Sequence, residues 1–206
     1  MTVKEEIFAL KNEMRTWRRD IHAHPETAFE EVRTSDIVAD KLETFGIAVH
    51  RGLAKTGVVG TLKVGESNRA IGLRADMDAL DILEENTFND VSTNPGKMHA
   101  CGHDGHTAML LGAAQYLSET RKFNGTVQFI FQPAEENEAG GRVMVEDGLF
   151  ELFPVEAVYG MHNQPGLPLG KFGVTHGSAM ASADMFHITI TGRGSHAAHP
   201  HHGADP

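Results

Sequence analysis

Cysteine is almost absent from this sequence. The only one, Cys101, has no partner for an internal disulfide, so the fold must hold through its core, and a reducing cytoplasm is the simplest compartment. Long apolar runs are missing too. Nothing approaches the ~18 consecutive apolar residues that span a bilayer, so no membrane partner is expected. Met1–Arg19 is charged and lacks the apolar centre of a signal peptide. Basic charge is in deficit, with 18 Lys and Arg against 28 Asp and Glu and a formal net charge of −10. A surface of that sign repels phosphate backbones, so no nucleic acid is expected either, whereas divalent cations suit it. The chain shows no internal repeat and no low-complexity stretch. It has no Gly-x-Ser-x-Gly elbow and no Cys-x-x-Cys of the zinc deaminases, and Gly166–Lys171 lacks the spacing and Ser/Thr of a P-loop.

Histidine, by contrast, is abundant, at 13 residues. His99, His103 and His106 cluster with the lone cysteine in Met98-His99-Ala100-Cys101-Gly102-His103-Asp104-Gly105-His106. Thiolate and imidazole are the donors that borderline-soft transition metals prefer. The glycines let the chain turn between ligands, and Asp104 could orient an imidazole. A polar loop around a buried free cysteine is the alternative, but four such groups in one short loop favour a metal.

The surrounding chain alternates helix and strand patterns. Thr2–Glu5 fits a capping box, and Val3, Ile7, Leu10, Met14, Trp17 and Ile21 form one stripe of a helix that Pro25 ends. A second helix starts near Thr34 and stops at Gly46. Strands are expected at Ile47–Arg51, Gly57–Val64, Ala70–Ala75, Thr126–Phe131 and Ala157–Gly160. Helices are expected at Asp104–Thr120, buried through Met109, Leu110, Ala113, Ala114 and Leu117, and at Arg142–Asp147. This order argues for an α/β fold, a mixed, largely parallel sheet flanked by helices. Ligands of such sheets sit beyond the carboxyl ends of the strands. Asp76 and Asp78, then Glu135 and Glu136 in Gln132-Pro133-Ala134-Glu135-Glu136, then His162 all follow strands. Each has a plainer reading: an ion pair with Arg74, a solvated acidic turn, a structural histidine. From Ala181 the pattern changes. Asp184–Thr191 alternates like a half-exposed antiparallel strand and leads into a Gly-rich, His-rich loop, so residues 1–180 read as one domain and 181–206 as the beginning of a second.

Four segments in this order, Leu73-Arg74-Ala75-Asp76-Met77-Asp78-Ala79-Leu80, the Cys101 loop, Gln132–Glu136 and Gly160-Met161-His162-Asn163, resemble the M20 metallopeptidase family. The Cys-Gly-His-Asp-Gly-His form is similar to its aminoacylase and hippurate hydrolase branch. The resemblance implies a zinc-peptidase-like catalytic domain into which an α+β lid and dimerisation domain is inserted. It implies two divalent ions, manganese or zinc with cobalt or nickel as alternatives, on Cys101, His103, Glu136 and His162. Glu135 matches the general base and Asp78 the carboxylate that orients a ligand. His196 matches a lid histidine that stabilises the oxyanion. The implied reaction is hydrolysis of an N-acyl amino acid, with a homodimer formed through the lid. N-acetyl-diaminopimelate deacetylation is a variant of it. Two departures stand out. Asp81 replaces a usual proline, and family chains are longer, which implies an N-terminal half and, as the alternative reading, an inactive metal-binding fragment.

Overall fold

The computed structural model describes residues 2–182, 184 and 186–206. They form two compact units, one running to Gln164 and the other comprising Pro165–Pro206.

The first unit opens with α1 (Val3–Ala9) and α2 (Lys11–Ala23). The expected capping box is present, with Glu5 and Thr2 bonding each other's backbone N–H. The expected single helix is not, because the Leu10 N–H bonds back to Ile7 at 3.0 Å and tightens a turn there. Only the second half of the apolar stripe finds a core: Trp17 and Ile21 are buried, whereas Val3 and Ile7 are exposed. A helix gains most of its stability from packing such a face, so continuity lapses where the face is left exposed.

α3 (Val32–Thr44) leads into β1 (Ala48–Leu53), β2 (Gly57–Val64) and β3 (Ala70–Asp76). Then follow α4 (His103–Thr120), β4 (Gly125–Gln132), α5 (Gly140–Glu146), α6 (Leu149–Leu152) and β5 (Val158–Gly160). The sheet is mixed, with strand order β1-β2-β4-β3-β5. β4, β3 and β5 run parallel, while β1 and β2 add an antiparallel flank.

Side chains alternate across β4 with the period of two that a strand imposes. Val127, Phe129 and Phe131 enter the larger core with Trp17, Val38, Leu42, Leu111 and Ala114. Ile130 faces the opposite side, packing with Val59, Leu53, Met144 and Leu149. Both faces of the sheet are therefore covered, as the unbroken apolar runs of β2 and β4 require. Gly60 permits a close approach, since a Cβ there would meet Leu42 at 3.0 Å and Ile47 at 3.1 Å. On α4 the buried side includes Leu111, while Met109, expected inward, is exposed.

In the second unit the strand expected over 184–191 does not form among the described residues, and Met185 lies outside them. A strand is held by its ladder to a neighbour. Among the described residues of this unit the one bridge joins Arg193 and Ala204, and Phe186, Ile188 and Ile190 are exposed. No helix among the described residues is long and apolar enough to cross a membrane.

Phe129 is fully buried at the centre of the larger core. Replacing it with alanine is expected to lower the unfolding free energy by about 3–5 kcal/mol, measurable as a reduced urea midpoint with little change in slope.

Candidate metal centre

Topology brings the polar motifs together. β3, β4 and β5 point the same way, in a register that sets Asp76 beside Gln132 and Arg74 beside Gly160. The segments leaving the three strands therefore emerge at one end of the sheet. α4 begins at the same end, after Gly102, whose φ of 101° is a left-handed conformation that glycine adopts without strain.

His103 is the hub. Its side chain is fully buried. Three sets of donors, each mutually within 4.8 Å, share it: Cys101 with His103 and His162, Asp76 with His103 and His106, and His103 with Glu135 and Glu136. The His103 Nδ1–H donates to Asp78 Oδ1 at 3.2 Å. Its Nε2 has no hydrogen-bond partner, although Glu136 Oε1 lies 3.6 Å away and is itself buried and unpartnered. His162 repeats the arrangement. Its Nδ1–H donates to the Asn163 carbonyl at 2.7 Å, and Nε2 faces Cys101 Sγ at 3.3 Å. An imidazole with Nδ1 held by an oxygen and Nε2 presented to a shared space is arranged as a metal ligand.

The electrostatics favour a cation. Burial, followed by the adjacent Glu136 carboxylate, pushes the Cys101 thiol up to about 12. Burial alone would lower His103, but Asp78 and the surrounding carboxylates raise it. Negative potential is thus in excess here, and a divalent ion would offset it and hold the thiol deprotonated. One thiol, two imidazoles and carboxylates form a donor set that suits zinc-like and manganese-like ions.

The supporting carboxylates are specific. Asp78 Oδ2 accepts the Glu136 backbone N–H at 2.9 Å, so one side chain positions both His103 and the glutamate turn. That turn has a second anchor that sequence reasoning missed. Glu31, fully buried, accepts the Ala134 N–H at 2.8 Å and the Thr56 hydroxyl at 2.7 Å. Gly140 fits beneath the turn, where a Cβ would lie 1.9 Å from the Pro133 carbonyl oxygen. Asp76 pairs with Arg74 at 2.7 Å and with His106 at 2.6 Å. Burial would raise its carboxyl, but these two partners hold it down to about 2.

Two expectations for the Cys101 loop need correction. Asp104 orients no candidate ligand; it accepts from His22 at 2.9 Å and Arg18 at 3.1 Å, tying α4 to α2. His99 joins none of the donor sets. It is buried with both ring nitrogens unpartnered, and burial lowers it to about 4. His196 lies in the second unit, exposed, its Nδ1 accepting the Ala198 N–H at 3.1 Å.

The chain is 47% identical to the hippurate hydrolase of Campylobacter jejuni over its whole length, covering 54% of that enzyme. It is 46% identical to an N-acyl-L-amino acid amidohydrolase of Geobacillus stearothermophilus, over 98% of this chain and 56% of that one. Among solved structures, the Bacillus subtilis YXEP protein, described as a dinuclear metal binding peptidase of the M20 family, superposes with a TM-score of 0.78 at 44% identity. That match covers 82% of this chain and 48% of the other. The chain thus spans about half the length of these relatives. Residues 72–204, from the third strand through the second unit, match the family model described as peptidase family M20/M25/M40, and the chain belongs to that family.

Proposed function

We propose that this protein hydrolyses the amide bond of N-acyl amino acids, with two divalent ions held by Cys101, His103, Glu136 and His162. The observation that carries the reading is the convergence of the Cys101 thiol and the His162 and His103 imidazoles beside the paired glutamates. The names of the two amidohydrolase relatives support the choice of substrate class. The description of the YXEP protein supports two ions. The donor chemistry admits manganese or zinc, with cobalt and nickel as alternatives.

When bound, the ions supply Lewis acidity and make a water acidic enough to react near neutral pH. The protein's own groups do the rest. Glu135, unlike its neighbour, keeps 43% of its side chain exposed, 4.0 Å from His103. It can therefore reach a water and a substrate together, taking the water's proton as the oxygen attacks the carbonyl and delivering it to the departing amine nitrogen. Asp78 holds the His103 ring in its ligating orientation. His196 donates a hydrogen bond to the tetrahedral oxyanion from a lid through which two copies pair.

Three outcomes test this reading. Glu135→Gln is expected to lower kcat by roughly 10²–10⁴-fold while leaving KM and bound metal unchanged, checked by amine release from hippurate and by elemental analysis. Intact turnover in that variant would refute the assigned base. Chelation is expected to abolish hydrolysis, and two equivalents of manganese or zinc per chain to restore it. Asp78→Ala frees both His103 and the Glu136 turn, and should weaken metal binding by roughly 10–100-fold in a calorimetric titration of the metal-free protein.

A further inference from the structure

His162 is poorly held by its own strand. β5 has three residues, all exposed, and it pairs with β3 along one edge. The side chain is exposed as well. Yet its Nε2 must stay within reach of Cys101 if both are to bind one ion. Its neighbour Asn163 supplies a restraint. The Asn163 backbone N–H donates to His106 Nε2 at 3.1 Å, and the side-chain oxygen Oδ1 lies packed against the same nitrogen at 2.5 Å. His106 is buried on α4, one turn beyond His103, and its Nδ1–H donates to Asp76. Asp76 in turn lies 3.6 Å from His103 Nε2. A continuous line of contacts thus runs from the loop after β5 through α4 to the end of β3.

Gly102 completes the seat. A Cβ at this position would lie 2.4 Å from Asn163 Oδ1 and 2.9 Å from Asn163 Cγ. The Asn163 side chain therefore fills the volume that a glycine between Cys101 and His103 leaves open. The ring of His106 also packs edge-on against His162, with centroids 4.6 Å apart.

We infer that Asn163, seated against Gly102 and bonded to His106, is a latch that positions His162 over Cys101 and so determines binding of the ion those two share. Asn163 and His106 are positioning residues in this account; neither belongs to the thiol-containing donor set. The inference rests on the metal-centre reading above, and the test separates the two.

Cobalt(II) would be titrated into the metal-free chain while following the thiolate-to-cobalt charge-transfer band, with wild type, Asn163→Ala, Gly102→Ala and the double variant compared. Wild type should develop the band as two equivalents bind. Asn163→Ala should weaken the band-producing equivalent by roughly 10–100-fold, with the other equivalent and the melting temperature of the metal-free protein unchanged. Gly102→Ala, which displaces Asn163 and also strains the left-handed backbone between Cys101 and His103, should weaken that equivalent at least as far. The double variant should bind cobalt no worse than Gly102→Ala alone, because the Asn163 contact is already lost there. No band in wild type would overturn the metal reading and the latch with it. A wild-type band that persists with unchanged affinity in Asn163→Ala would overturn the latch alone. Equal weakening of both ions together with a lower melting temperature would also overturn it, since that marks a merely structural tie.

Discussion

The centre depends on the Asp78 carboxylate. One oxygen takes the His103 Nδ1–H and the other takes the Glu136 backbone N–H. A single buried group thereby fixes the tautomer and rotation of the hub imidazole and the path of the chain carrying both glutamates. A buried ionised carboxylate persists only when its acceptors are occupied, and here both are. Because Asp78 follows β3 directly, its place is inherited from a strand paired on both sides.

Around it the protein tolerates an unusual density of buried ionisable groups. Asp76, Asp78, His103, Asp104 and His106 are all buried at one end of the sheet. Most are mutually satisfied through Arg74, His22 and Arg18. Asp104 Oδ1 and both His99 ring nitrogens lack partners, and so do His103 Nε2 and Glu136 Oε1, which face each other next to a thiol that burial and carboxylate charge hold protonated. Unsatisfied buried polar atoms are costly in a folded protein. The facing pair of His103 Nε2 and Glu136 Oε1 is what a divalent ion would relieve, so that cost and the proposed chemistry share a location.

Much of this was legible in the linear sequence, through different signals. The strands showed as apolar runs, and the chemistry showed as carboxylates and histidine directly after them, which is enough to place Asp78, Glu136 and His162 near Cys101 once the strands are parallel. The Glu31 anchor was invisible. It sits 103 residues from Ala134, in a segment whose pattern gives no reason to bury a carboxylate. Asp104 was misread for a related cause: adjacency to His103 suggested a shared role, but successive side chains on a helix diverge, and its partners His22 and Arg18 lie on α2. His99, in the loop before α4, joins none of the donor sets. Nearness in sequence is a weak guide to direction within a tight loop.

The sequence alone determined most of the element types of the first unit and which residues offer donor atoms, but not the break between α1 and α2 or the absence of a strand over 184–191 among the described residues. What it determined follows from local periodicity and residue chemistry, which need no knowledge of distant neighbours. Tertiary structure decided which donors share a space. It directed Cys101 toward His162, Asp104 toward α2 and Glu31 beneath the glutamate turn, because the direction of a side chain depends on helix rotation and strand register, and both are set by packing between segments far apart in the chain.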